Sequence, residues 1–157
     1  MSKDARMQLE DIQAIILRGY PKLRSACYLL LTIDQPKRCL EWLTRAVLDR
    51  VVSFQSQPEE CALNIAFGYS GLQQLGIPET TLHSFSRPFK EGMSVEHRQR
   101  SLGDHGESAP DRWLWGGEAD RVDILLLCFA NSDQRLEQLI TDLGLQHTES
   151  QQANGFS

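Results

Sequence analysis

Two segments of this chain are apolar on both sides when laid out as strands, and this limits its possible folds more than any other feature. They are Ala26-Cys27-Tyr28-Leu29-Leu30-Leu31-Thr32-Ile33 and Val122-Asp123-Ile124-Leu125-Leu126-Leu127-Cys128-Phe129-Ala130. A third candidate is Ala62-Leu63-Asn64-Ile65-Ala66-Phe67-Gly68-Tyr69. Length, branched and aromatic content and flanking breakers favour strand for each. Successive strand residues point to opposite faces. The first run sets Cys27, Leu29, Leu31 and Ile33 on one side and Ala26, Tyr28, Leu30 and Thr32 on the other. The last sets Val122, Ile124, Leu126 and Cys128 against Leu125, Leu127 and Phe129. A sheet that is wet on one side alternates apolar with polar, whereas strands covered on both sides read as continuous apolar runs. This sheet needs two covering layers.

Helices account for one of them. Pro36 suits a first helical turn, where its missing N–H costs nothing. Leu40, Leu43, Val47 and Val51 then recur at helical spacing and predict an amphipathic helix from 36 to about 52. After the last apolar run, Ser132 is an N-cap candidate. Leu136, Leu139, Ile140 and Leu143 form a stripe, and Gly144 sits at a C-cap position. A fourth, edge strand is expected from 145 to about 149. The order βαββαβ predicts an α+β, ferredoxin-like antiparallel sheet with helices on one face. The whole chain, 1–157, reads as a single domain, ferredoxin-like over about 9–150, with a polar tail at about 150–157. A long insertion, about 70–120, separates the second and third strands. It breaks into helical pieces at 70–75, 78–85, 88–93 and 94–102, then an ordered loop at 103–120 anchored by Trp113 and Trp115. The second sheet face must be covered by this insertion, by another subunit in a homodimer, or by a missing C-terminal half. About 500 Å² buried there is worth on the order of 10 kcal/mol before association costs.

The chain has 157 residues, one domain's worth, and a core can form at that size. Its net charge of −5 argues against a nucleic-acid partner or an anionic membrane surface. No apolar run approaches the length of a membrane span. The start, Met1-Ser2-Lys3-Asp4-Ala5-Arg6, is too charged to lead into a secretory segment before Glu10 and Asp11, so a cytoplasmic location is expected. Cys27, Cys39, Cys61 and Cys128 stand far apart, without zinc-type spacing, and read as structural thiols.

Candidate chemistry is sparse. Gly68-Tyr69-Ser70-Gly71 has the strand-to-helix context of a nucleophile elbow, but the motif requires glycine where Leu72 stands. The plainer reading is a turn with Ser70 as N-cap. Leu102-Gly103-Asp104-His105-Gly106-Glu107-Ser108-Ala109-Pro110 packs titratable groups into a glycine-rich loop, where an Asp104–His105 pair would tune a general base. Turn formation by Asp and Gly explains the same residues. His83 and His97 read as exposed helical residues. The basic groups from Arg87 to Arg100 are interrupted by Glu91 and Glu96, as on a solvated face. Phosphate-binding fingerprints and haem-attachment motifs do not occur. No catalytic, cofactor-binding or metal-ligating residue is assigned.

Several stretches together resemble the N-terminal domain of dye-decolourising (DyP-type) haem peroxidases. They are Leu9-Glu10-Asp11-Ile12-Gln13-Ala14-Ile15-Ile16-Leu17-Arg18-Gly19-Tyr20, Ala62 through Leu72, Phe89-Lys90-Glu91-Gly92-Met93, and Leu102-Gly103-Asp104 to Pro110 with Trp113. The likeness runs in order from about 9 to 143; Gly68 stands where a threonine-like residue is expected. The resemblance implies two ferredoxin-like halves whose sheets pack together, with haem held mainly by the second half. It also implies peroxide reduction coupled to oxidation of an organic donor. The family's proximal histidine, distal aspartate and distal arginine come later than Ser157. The expectation is therefore an N-terminal part that binds no haem and has no peroxidase activity alone, or a stand-alone dimerisation or binding module derived from it.

Overall fold

Each apolar run becomes a strand, and the ladder between them sets the rest of the architecture. The computed structural model describes residues 9–117 and 120–145. β1 (Ser25–Leu31), β2 (Cys61–Phe67) and β3 (Ile124–Ala130) form one sheet in the order β1–β3–β2. The central β3 is antiparallel to both neighbours. Cys27, Leu29 and Leu31 stand opposite Cys128, Leu126 and Ile124, which Leu63, Ile65 and Phe67 face from the other side. β1 and β3 are shorter than predicted at one end, where Thr32, Ile33, Val122 and Asp123 leave the ladder. There the Ile33 N–H donates to the Asp123 carboxylate at 2.9 Å, and the Asp123 N–H donates to the Leu31 carbonyl at 2.9 Å.

α1 (Pro36–Trp42) starts with its proline in the first turn, as expected. It continues through a π-turn at Leu43–Val47 and a 3₁₀ turn at Leu48–Arg50, not as one α-helix to 52. The wider turn lines up Leu43 and Val47, both buried, with half-buried Cys39. Leu40, predicted to face inward, is exposed instead.

The insertion forms α2 (Tyr69–Gln74), α3 (Glu79–Ser84), α4 (Arg87–Glu91) and α5 (Glu96–Leu102), close to the predicted pieces. Gly68, not Ser70, caps α2, and Ser70 lies inside it. Two 3₁₀ turns, Gly106–Ser108 and Pro110–Arg112, order the following loop. Trp113 holds it by donating from Nε1 to the Ser108 carbonyl at 2.9 Å. Trp115, expected as the second anchor, is exposed. Gly117 permits the loop to pass close to its own start, since a Cβ there would come within 2.7 Å of the Pro110 carbonyl oxygen.

α6 (Asp133–Asp142) has the predicted ends. The Ser132 hydroxyl accepts from the Arg135 N–H. Gly144, at φ 71°, donates to the Thr141 carbonyl and Leu145 to the Ile140 carbonyl, a Schellman stop. The core lies between the helices and one sheet face, where Leu43, Val47, Leu126, Leu139, Ile140 and Leu143 meet. Trp42 Nε1 ties α1 to the end of α6 through the Leu143 carbonyl at 2.7 Å. This is the α+β, ferredoxin-like arrangement with helices on one face. The fourth strand expected from 145 falls, beyond Leu145, outside the described residues. No helix among the described residues is long and apolar enough to cross a membrane.

Candidate functional site

The second sheet face is the site. Register places three rows across it: Ala26–Phe129–Ala62, Tyr28–Leu127–Asn64 and Leu30–Leu125–Ala66. In a single chain Tyr28 is 61% exposed and Leu30 39% exposed, so the insertion does not cover them. Leu125, Leu127 and Phe129 are half-buried. Aromatic contacts stiffen one end: the Phe129 ring lies 5.2 Å from Tyr20 and 6.1 Å, edge-on, from Tyr28.

The chain before β1 secures the β2 border of that face. The Gln13 side-chain amide imitates a neighbouring strand, donating to the Ile65 carbonyl at 2.7 Å and accepting from the Ile65 N–H at 2.8 Å. Val52 N–H bonds the Leu63 carbonyl, and Ala14 N–H bonds the Val52 carbonyl. An edge strand left bare invites pairing with other chains; here it is capped. Asn64 is fully buried on the same face and satisfied, accepting from the Tyr20 hydroxyl at 2.8 Å and donating to Gln13 Oε1 at 3.2 Å. Burial pushes the Tyr20 phenol above its ordinary value, so it stays a donor.

At one end of the sheet a buried carboxylate gathers the elements. Asp123 is fully buried and accepts from Ser70 Oγ (2.6 Å), Arg121 Nε (2.8 Å) and Nη2 (3.1 Å), Gln74 Nε2 (2.9 Å) and the Ile33 N–H (2.9 Å). Burial acts to raise its pKa. Hydrogen bonds from Arg121, Ile33 and Ser70, with the Arg121 charge, outweigh burial and hold it below the usual carboxylate value. α2 can approach because glycines stand at its N-cap and its third position. A Cβ at Gly71 would meet the Asp123 carbonyl oxygen at 2.3 Å, and one at Gly68 the Val122 carbonyl oxygen at 2.6 Å. The Gly68 departure from the family pattern therefore has a local reason.

This placement decides the elbow reading. The Ser70 hydroxyl hydrogen goes to an ionised carboxylate of depressed pKa, a weak base, and the group acts as a rivet and not a nucleophile. His83 pairs with Glu79 (2.8 Å) and His97 with Glu91 (3.2 Å), both on exposed short helices. The 102–110 loop is ordered through backbone turns, in which Gly103 and Asp104 donate to the Gln99 carbonyl and His105 to that of Gly103. Arg87 pairs with Glu91 and Arg100 with Glu96 on this stretch, where Glu91 is partly buried. All four cysteines are present as thiols, and burial pushes Cys128 up to about 12. Among the described residues no cluster of three or more His, Cys, Asp or Glu is able to hold a metal ion. Sequence reasoning passed over Asp123, Asn64 and Gln13; the available signals were a lone acid opening an apolar run and a lone amide inside another.

A family model described as the DyP dimeric α+β barrel domain matches residues 11–154. The fold is similar to the decolorizing peroxidase (DyP) of Auricularia auricula-judae at a TM-score of 0.69 and 21% identity. That match covers 88% of this chain and 31% of that one. It is also similar to the DyP-type peroxidase of Anabaena sp., with a TM-score of 0.72, 22% identity, and coverage of 87% and 31%. No curated protein matches. The chain thus spans about a third of the length of these solved relatives.

Proposed function

The chain belongs to the DyP dimeric α+β barrel domain family, and we propose that it serves as the N-terminal, ferredoxin-like part of a DyP-type haem peroxidase whose open sheet face packs against a second α+β unit. The observation that carries this reading is the apolar face itself, with Tyr28 and Leu30 in water above half-buried Leu125 and Leu127. Large apolar patches on folded domains mark interaction surfaces. The word "dimeric" in the family description and the one-third coverage of the solved relatives point the same way.

Haem is the group the family implies, and the residues described here do not fit it. His83 and His97 are engaged with carboxylates on exposed helices. A groove of about 350 Å³ near the end of β1 is lined by Thr32, Arg38, Cys39 and Trp42 among others, and no histidine lines it. Burial, reinforced by the Asp123 charge, raises the Cys39 pKa and keeps its thiol protonated, which opposes iron ligation. The reading therefore assigns haem binding and peroxide chemistry to the remainder of a longer enzyme, and to this part the role of closing and supporting it. Titrating the chain with haemin is expected to give no stoichiometric shifted Soret band and no peroxide-dependent dye oxidation. A tight one-to-one complex that turns over would overturn the proposal.

A further inference from the structure

We propose that Cys27 and Cys128 form an oxidation site, at which hydrogen peroxide joins β1 to β3 through a reversible disulfide. The site lies outside the peroxidase-part reading, which leaves these thiols unused. Register carries the inference. Cys27 stands directly opposite Cys128, and both lie on the helix side of the sheet with Leu29, Leu31 and Leu126. Opposite residues of an antiparallel pair hold their Cα atoms about 4.5–5.5 Å apart, within the roughly 4.4–6.8 Å that a disulfide spans. Their Cβ atoms, about 4.5–5.5 Å apart, must close to about 3.5–4.5 Å. A bond formed under that tension is more easily reduced, which makes the link reversible. The other thiols are placed differently. Cys61 faces Ala130 while Leu63 faces Cys128, so Cys61 meets Cys128 only on the diagonal. That separation, about 7–8 Å, exceeds what a disulfide spans without backbone movement. Cys39 lies on α1 and lines the groove near the end of β1.

The two thiols take different parts. Cys27 is half-buried and Cys128 fully buried, so peroxide meets Cys27 first. Cys27 points to the helix side, and a partner laid over Tyr28 and Leu30 on the opposite face does not hide it. Its deprotonated sulfur attacks one peroxide oxygen. The O–O bond breaks, an S–O bond forms, and the departing hydroxide takes up the proton the thiol released, leaving a sulfenic acid and water. Cys128 then gives up its proton, and its sulfur attacks the Cys27 sulfur. The S–O bond breaks and a second water leaves. Two thiols and one peroxide thus become one disulfide and two waters, the sulfurs losing the two electrons that the peroxide gains. Burial raises both thiols, Cys128 up to about 12, and makes the first step slow. In the second step the ladder already holds the two sulfurs side by side, and that proximity offsets the weak acidity of Cys128.

Peptide mapping of the full chain after sustained exposure to hydrogen peroxide tests the site. Each cysteine falls on its own tryptic peptide, Ser25–Lys37 for Cys27 and Val122–Arg135 for Cys128. The expected product is those two peptides joined, two hydrogens lighter than their sum, from a chain that still runs as a single molecule on a non-reducing gel. Dithiothreitol should restore both thiols to alkylation. Cys27→Ser should leave Cys128 open to alkylation after peroxide, while Cys39→Ser and Cys61→Ser should form the link as fully as the wild type. The wild-type map decides the matter even where a variant folds poorly. A link from Cys128 to Cys61, a link between two molecules, oxygen added at Cys27 with Cys128 still open to alkylation, or both thiols surviving peroxide would each overturn the inference. None of these results bears on the peroxidase-part reading, which haem-dependent turnover by the chain alone would overturn while leaving this thiol pair untouched.

Discussion

Asp123 shows how one residue can hold several elements at once. Its carboxylate fixes the end of β1 through Ile33, the start of the insertion through Ser70 and Gln74, and the entry to β3 through Arg121. Replacing it with alanine leaves buried donors without acceptors, and the expected loss is about 2–4 kcal/mol in urea unfolding. The acid behaviour follows from the direction of the pKa shift. A carboxylate held below its unfolded value of about 3.9 contributes fully above that pH and loses the contribution as pH falls through the folded value. Stability of the wild type should therefore drop more steeply below about pH 4 than that of Asp123→Asn; parallel profiles would remove Asp123 from the account. Ser70→Ala deletes one donor of several and should cost only about 0.5–1.5 kcal/mol. Gly71→Ala should cost more than the serine change, since its Cβ would press on backbone at 2.3 Å and no flexible side chain can yield. The sequence contained this residue in plain view, but an acid at the mouth of an apolar strand looks the same whether it meets water or four partners. Arg121 is a near neighbour in sequence, but only the folded chain brings positions 33, 70 and 74 to it.

At the scale of elements, periodicity and end signals were legible and edges were not. Pro36, Ser132 and Gly144 mark helix ends because their local chemistry works without tertiary help. The π-turn at Leu43–Val47 left no such signature, because a wide turn inside an amphipathic run is selected by what it packs against. The Gln13 clamp was equally invisible, since a glutamine side chain is able to stand in for a strand only once 51–54 and β2 have been brought beside it. Its contribution can be measured locally. Gln13→Ala removes both partners of the Ile65 backbone and should speed hydrogen exchange at the Ile65 amide markedly, with little change at the β1–β3 ladder. Equal acceleration across the sheet would mean that the clamp supports global stability and not the border of β2.

For the whole molecule the question is which face of the sheet is core and which is interface, and strand alternation lets neighbouring leucines answer it. Leu126 points toward the helices and is fully buried; Leu125 and Leu127, on either side, point to the open face. The sequence showed that both faces are apolar, which was enough to require a companion layer. It did not say which face the helices of this chain would take, because an apolar residue satisfies a helix or a foreign sheet equally well. Substitutions can separate the two roles. Leu126→Ala opens a cavity in a closed core and should cost about 2.5–4 kcal/mol in the isolated chain. Leu30→Thr, on a β-branched side chain suited to a strand, should change the stability of a dilute monomer by less than about 1 kcal/mol, because that side chain is already partly in water. The same change should lower binding of an apolar-surface dye, which Leu126→Ala does not do while the chain remains folded. If Leu30→Thr destabilises the monomer as much as Leu126→Ala does, the second face is a finished part of this chain's own core, and nothing further needs to cover it.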